Sequence, residues 1–265
     1  MASFSVVSNV SAANAQANLN TTNIGLQRTL SRLSSGFRIN QAGDDAAGLA
    51  VANGYRSDQA VLNQGIRNAN DGLSTLQIQN GALDNISNLL DRLSTLASQS
   101  ASSGFTGSRT TLAAEFTSVV SEISREVSVA GLGTAQGFSV YVSSGTGGTV
   151  GATIGAADTT TLGIAALDIS TATGAATAVT AVKSAVGTVG SVVGNVGAIQ
   201  NRLQYAVGLA QSQVVNKQAA ESRIRDANVA EESANLTRYQ ILTQSGIASL
   251  AQANQSSSAV LKLLG

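Results

Sequence analysis

From Leu62 onward an apolar residue returns at every seventh position: Leu62, Ala69, Leu76, Leu83, Leu90 and Ala97. Ile66 and Leu73 accompany the first part of this series, Ile86 and Leu93 the second. A seven-residue return sustained over several repeats fits one seam of a helix that lies against other helices. A strand cannot satisfy it, because strand side chains alternate with a period of two. The spacing predicts a helix from Asp44 to about Ser100, which at 1.5 Å per residue would run roughly 80 Å. A rod of that length needs partner helices.

Nothing in the chain opposes long helices. Proline, which removes a backbone donor and clashes with the preceding turn, is absent from all 265 residues. Two partner stripes are visible. Leu112, Phe116, Val119, Ile123 and Val127 form one, entered through the polar, glycine-bearing loop SASSGFTGSR. Val182, Val186, Val189, Val193, Val196, Leu203, Val207, Ala210 and Val214 form the other. Beside this second stripe stand Gly187, Gly190, Gly194 and Gly197, each costing about 1 kcal/mol relative to alanine inside a helix. They fit either a helix that begins late, near Asn195, or one that another backbone approaches closely.

Residues 137–178 change character. GFSVYV alternates, with Phe138, Val140 and Val142 on one side, and TVGATI alternates again through Val150, Ala152 and Ile154. SSGTGG between them supplies a turn, so the pattern predicts a β-hairpin. LGIAALDI reads as a further short extended segment, followed by TATGAATA as a linker.

Charge is distributed unevenly. Charged residues make up 11% of the chain, against roughly 25% in soluble domains. None occurs from Met1 to Gln27, and none between Arg238 and Lys262. Both stretches nevertheless have helical spacing. Leu19, Leu26, Leu30, Leu33 and Phe37 fall on one side of a first helix. Leu236, Tyr239, Thr243, Gly246, Leu250, Ala253, Ser257, Val260 and Leu264 alternate steps of three and four in a last one, an imperfect heptad seam weakest at Thr243, Gly246 and Ser257. The opposite faces carry Asn, Gln, Ser and Thr. Two readings fit: frayed tails of low charge, or two helices that become buried on several sides when copies of the chain assemble.

The same composition narrows the chemistry. Without cysteine there is no disulfide, thiolate nucleophile or thiolate metal site, and without histidine the commonest general base and metal ligand is missing. The formal charge is zero, which gives no sign of a nucleic-acid or membrane-surface partner. No stretch approaches 18 consecutive apolar residues, and MASFSVVSNVSAANAQANLN lacks the basic start and apolar run of a cleaved signal peptide. Glu122, Glu126, Glu221, Glu231 and Glu232 read as solvated or inter-subunit charges, and no glycine-rich phosphate loop follows a strand. Catalytic residues, cofactor and metal are therefore expected to be absent.

Between the first two predicted helices lies LSSGFRINQAGDDAAGLAVA. Gly36 fits a helix stop, where a left-handed residue avoids the Cβ penalty. Asp44 and Asp45 could form an acidic site, but no other ligand clusters with them, and they fit better as caps of the next helix. Arg28, Arg32 and Arg38 could bind phosphate, but spaced along helix and loop they fit bonds between subunits better.

Three stretches in this order, LQRTLSRLSSGFRINQAGDDAAGLAVA, IQNRLQYAV and RIRDANVAEESANLTRYQILTQSGIASLAQANQ, resemble bacterial flagellin along almost the whole chain. The resemblance implies a mainly α fold: a long antiparallel helical rod or coiled-coil bundle built from the two terminal segments, with a small β-hairpin region. It implies a terminal tail domain of residues 1–40 and 226–265, a helical rod domain of 41–136 and 179–225, and a short variable outer segment at 137–178 that leaves no room for outer domains. FRINQAGDD becomes the spoke between tail and rod, carried by Gly36, Arg38, Asn40, Asp44 and Asp45, and the tail seams of Leu19, Leu26, Leu30, Leu33, Leu236, Tyr239, Leu250, Val260 and Leu264 become the self-assembly surface.

Function by resemblance is that of a structural, non-enzymatic subunit that polymerises into the extracellular flagellar filament, exported unfolded by the flagellar type III apparatus without signal cleavage. The implied partners are further copies of the chain, hook-associated and cap proteins, and an export chaperone. The vertebrate Toll-like receptor for flagellin is a further implied partner through Leu90, Arg92, Leu96, Ala97, Gln99 and Glu115, although Leu93, Ser94 and Thr95 depart from the more charged set of related agonists. A junction protein between hook and filament, or a secreted helical adaptor, would share the same termini.

Overall fold

The computed structural model describes residues 9–143 and 147–263, with side chains described as far as Ser256. In chain order the elements are α1 (Val10–Ser35), α2 (Ala46–Ala101), α3 (Arg109–Ala130), β1 (Gln136–Tyr141), β2 (Thr149–Ile154), α4 (Ala172–Arg225) and α5 (Val229–Leu263). They divide into two compact units, residues 1–57 with 216–265 and residues 58–215, so that α2 and α4 contribute to both.

The unit of residues 58–215 is built on the heptad seam. Leu62, Ala69, Leu76, Leu83, Leu90 and Ala97 are all buried, as are Ile86 and Leu93, while Ile66 and Leu73 pack against the core's edge. The helix α3 returns antiparallel to α2, starting at the N-cap Ser108, whose side chain accepts from the Thr111 N–H, and stopping at the left-handed Gly131. Its buried residues are Phe116, Ile123 and Val127. Helix α4 also runs antiparallel to α2: buried Ser100 near the end of α2 donates to the Ile169 carbonyl just before α4, and Leu203 lies against Gly72.

Strands β1 and β2 pair antiparallel in the register Phe138↔Ala152 and Val140↔Val150, with Val140, Val142 and Ile154 buried. Glycines on α2 hold them. A Cβ built on Gly65 would lie 1.8 Å from the Val142 carbonyl oxygen, and one on Gly72 would lie 2.9 Å from the Val140 side chain. The hairpin backbone thus sits on Gly65, where only glycine leaves room, and hairpin side chains close over Gly72.

Several expectations are corrected. The LGIAALDI segment contains turns rather than a strand, with Leu162, Ile164 and Ile169 buried as anchors and Asp158 accepting from the Thr160 and Thr161 N–H groups. The TATGAATA stretch is helical from Ala172, and α4 continues unbroken past Asn195, which removes the late start. Nor do its glycines seat another backbone of the same chain: Cβ atoms built on Gly187, Gly190, Gly194 and Gly197 would meet nothing within 4 Å. The expected stripe of α4 is buried at Val182, Val189, Val196, Leu203 and Ala210, and Ala185, Val192 and Ile199 widen it, while Val186 is exposed. By length and composition α4 is apolar enough to cross a membrane. Its buried valines, however, form the core of residues 58–215, and its other face carries Thr, Ser and Gly.

Candidate self-assembly surface

Helices α1 and α5 belong to the other unit, residues 1–57 with 216–265, and pair antiparallel. Asn9 caps α1 by accepting from the Ala12 N–H, and its amide donates to the Ala253 carbonyl at 3.0 Å. Further along, Leu19 lies on Gly246 and the Tyr239 ring lies on Gly25. A Cβ on Gly25 would fall 2.6 Å from that ring, and one on Gly246 would fall 3.0 Å from Leu19 Cδ1. Two large side chains thus enter two glycine gaps, one on each helix, which is why helices with so few large residues can interlock. Gly246, expected to be a weak point of the seam, is one of its seats.

The α5 positions expected at the seam, Leu236, Tyr239, Thr243, Gly246, Leu250 and Ala253, are each half-buried. Val260 and Leu264 lie outside the residues whose side chains are described. On α1, Leu19, Leu26 and Leu33 are half-buried and Thr29 is buried. Leu30 departs from that side and is 47% exposed. It joins Val10, Ile24, Ile241, Leu242 and Ile247, all exposed, on a helix pair that carries no charge from Asn9 to Gln27 or from Tyr239 to Ser256. Two helices can cover only one side of each other.

Charge enters the helix pair in the last turns of α1 and the first turns of α5. Arg32 donates to Glu232 at 3.1 Å, and Glu232 is buried, with its side chain 9% exposed. Glu232, expected as a solvated or inter-subunit charge, and Arg32, expected to bond between subunits, are therefore partners within one chain. The Arg32 guanidinium spends a donor here, and its buried Nε has no hydrogen-bond partner.

The connector FRINQAGDD is fastened by backbone and side chain. Gly36 ends α1 at φ 74°, its N–H donating to the Arg32 carbonyl at 2.8 Å. Its own carbonyl accepts from the Ala227 N–H, and the Arg38 N–H donates to the Arg225 carbonyl, so Phe37 and Asp226 form a short antiparallel bridge. Arg38 also donates through Nη2 to the Ile224 carbonyl at 2.8 Å, and the Arg225 guanidinium stacks 4.1 Å from the Phe37 ring centre. Arg38 is thus engaged within the chain. Asn40 donates through its amide to Ser31.

The two aspartates have different tasks. Asp45 accepts from the Gly48 N–H at 2.8 Å, the arrangement of a helix N-cap at the start of α2. Asp44 instead closes the connector, its Oδ2 accepting from the N–H groups of Asn40 and Gln41 at 3.2 Å each. Burial raises its pKa, but those two N–H groups and the charges of Arg32 and Arg28 outweigh it and leave the carboxyl below its ordinary value. Arg28 stands 3.9 Å from Asp44 with its side chain 57% exposed. Between α1 and the connector lies an open cleft of about 450 Å³ lined by Ile24, Gln27, Arg28, Ser31 and Gln41 among others.

In the unit of residues 58–215, Arg92 and Glu115 form an ion pair between α2 and α3 at the surface, with the Arg92 Nε bond at 3.0 Å, and Gln99 is exposed. Leu90, Leu96 and Ala97, grouped with them by the sequence, are buried in the core.

Sequence reasoning missed the Gly25 seat, the Arg32–Glu232 pair and the Phe37–Arg225 stack. Gly25 was open to detection, because a glycine in mid-helix costs about 1 kcal/mol and calls for a reason. The other two join residues about 200 positions apart, for which a single sequence carries no signal.

The chain is similar to known proteins along most of its length. A family model described as the bacterial flagellin N-terminal helical region matches residues 6–131, and one described as the C-terminal helical region matches residues 169–264. A flagellin from Halalkalibacterium halodurans is 36% identical over 97% of this chain and 98% of its own length. The flagellar filament 33 kDa core protein of Treponema phagedenis is likewise 36% identical, covering 97% of this chain and 98% of that protein. The crystal structure of Bacillus cereus flagellin superposes with a TM-score of 0.49 at 25% identity, covering 58% of this chain and 94% of that one.

Proposed function

The chain belongs to the bacterial flagellin family, and from that membership we propose how it works as the structural subunit of the extracellular flagellar filament. The observation that carries the reading is the set of exposed apolar residues Ile24, Leu30, Ile241, Leu242 and Ile247 on a pair of helices with long uncharged stretches. Apolar surface removed from water is worth roughly 25 cal/mol per Å². A helix pair that leaves this much uncovered gains little against the cost of ordering its residues, at about 1–2 kcal/mol each for backbone alone. Further copies of the pair supply the missing cover, so residues 1–40 and 226–265 order fully as the polymer forms and line its core. Residues 36–45 then connect that core to the rod formed by 41–136 and 179–225. Because the contacts are head-to-tail, copies add without closing a ring.

Delivery to the growing end by the flagellar type III apparatus, with an export chaperone inside and cap and hook-associated proteins outside, follows the family. The absence of proline and cysteine suits a chain that is threaded unfolded, since neither isomerisation nor disulfide formation delays refolding. Recognition by a Toll-like receptor rests on the surface residues Arg92, Gln99 and Glu115, because Leu90 and Leu96 act from the core. A reporter-cell assay of Arg92→Ala in folded protein measures it.

The filament reading is tested by electron microscopy of purified chain grown from filament seeds. Wild type is expected to give long tubes, and a chain lacking residues 1–27 and 239–265 to give none. Tubes from the trimmed chain would refute the role of the tails, and closed oligomers from wild type would favour the junction protein or adaptor.

A further inference from the structure

The chain has a formal charge of zero, yet its two units do not. Residues 1–57 with 216–265 hold nine basic and six acidic side chains, a net of +3. Residues 58–215 hold six basic and nine acidic ones, a net of −3. The neutrality is a cancellation between two bodies of opposite sign.

Intramolecular pairing does not consume all of these charges. Among the described residues, Arg56 on α2 and Arg223 on α4 have no ion-pair partner in their own chain, and both are exposed. In the acidic unit, Asp91 has no side-chain partner, and Asp84 meets only the Asn80 amide at 3.4 Å. Asp84 and Asp91 are both exposed and stand seven positions apart on α2, so they occupy the same strip of that helix. Other surface charges of the acidic unit neutralise each other locally in two clusters, Arg92 with Glu115 and Arg125 with Glu122 and Glu126.

We propose that successive copies of this chain dock by opposite charge, the basic unit of one copy, through Arg56 and Arg223, against the acidic strip of Asp84 and Asp91 on the next. This rests on the filament reading and names which surfaces meet within it. A body of +3 and a body of −3 on one chain make a head-to-tail contact attractive, while head-to-head and tail-to-tail contacts are repelled. The charges thereby set the polarity of addition and speed the encounter. Apolar tails supply buried area but repel no reversed orientation.

The test is seeded elongation followed by light scattering, on full-length protein, with far-UV circular dichroism verifying that each variant is folded. Wild type is expected to elongate several-fold more slowly when sodium chloride rises from about 0.01 M to about 0.1 M, because the screening length falls from roughly 30 Å to roughly 10 Å. Arg56→Glu with Arg223→Glu is expected to slow elongation on homologous seeds at least about tenfold, and so is Asp84→Lys with Asp91→Lys. The chain with all four substitutions, in which both surfaces are reversed together, is expected to recover to within about threefold of wild type on its own seeds. If a double variant loses its fold, Asp84→Asn with Asp91→Asn and Arg56→Gln with Arg223→Gln replace the reversals and are expected to lose the salt dependence. Variants that elongate like wild type, a fourfold variant with no recovery, or a wild-type rate indifferent to salt would overturn the proposal. Wild-type protein that adds to no seed at any salt would instead refute the filament reading beneath it.

Discussion

Gly25 and Asp44 show how much of this molecule depends on single atoms. The Tyr239 ring occupies the space where a side chain on Gly25 would begin. Gly25→Val should therefore push Tyr239 out of the seam at a cost of about 1–3 kcal/mol, and lower the helicity of the α1–α5 pair in circular dichroism of assembled protein. Gly25→Ala, with one methyl group, should do the same more weakly. Unchanged filament stability in both would mean that the two helices do not meet there. Asp44 governs the connector through charge. Its folded pKa is depressed, so its contribution to stability is fully present above the ordinary carboxylate value of about 4 and is lost as pH falls through the folded value. Acidification should loosen residues 37–45 before the heptad core gives way. Asp44→Asn should flatten that response, which proteolysis at residues 37–45 across a pH series would measure. The same residue answers why α1 and α2 are interrupted at all: the connector satisfies its own backbone N–H groups on Asp44 and leaves the start of α2 to Asp45.

At the scale of elements, the heptad seam and the hairpin meet at two glycines. Gly65 and Gly72 are seven apart on α2, and Val142 and Val140 rest on them. Gly65→Ala would place a methyl group inside the Val142 carbonyl, so either the hairpin shifts or the helix bends. Destabilisation of residues 58–215 by about 1–3 kcal/mol is expected, read as a lower denaturant midpoint with the slope unchanged. A neutral result would show the hairpin to be free to move. The glycines of α4 are a contrast. Gly187 and Gly190 touch nothing in their own chain, so their alanine variants should leave the monomer as stable or stabilise it by up to about 1 kcal/mol each. Identical glycines in two neighbouring helices therefore have opposite sensitivities, decided by what stands opposite them.

At the scale of the whole molecule, the core is confined to one unit. Nearly all the fully buried large side chains lie between Leu62 and Leu203, whereas the tails bury few. Residues 58–215, which are continuous in sequence, are expected to fold alone and unfold cooperatively. The isolated full-length chain should show that same transition, with additional helix gained only on polymerisation. Hydrogen exchange of monomer and polymer would check this: protection in residues 10–35 and 229–256 should rise steeply on assembly, while that of residues 76–97 should barely change. Equal protection in both states would contradict the coupling of tail order to assembly.

The residue pattern alone determined what is periodic or local. Leu62 to Ala97 gave α2 its length and buried side, the alternations around Phe138 and Val150 gave the hairpin its faces, and Gly36 marked the end of α1 because only a residue without Cβ adopts φ near 74° at no cost. The half-buried positions of α5 were legible from steps of three and four even without large residues. Tertiary structure decided whatever depends on a partner distant in sequence. Leu30 lies on the apolar pattern of α1 but outside its contact, since a single facing helix covers a narrower arc than the pattern supplies. Glu232 has the sequence of a surface charge and the burial of a core residue, because Arg32, 200 positions earlier, is folded against it. A period tells a helix which side to hide; only the assembled chain tells it behind what.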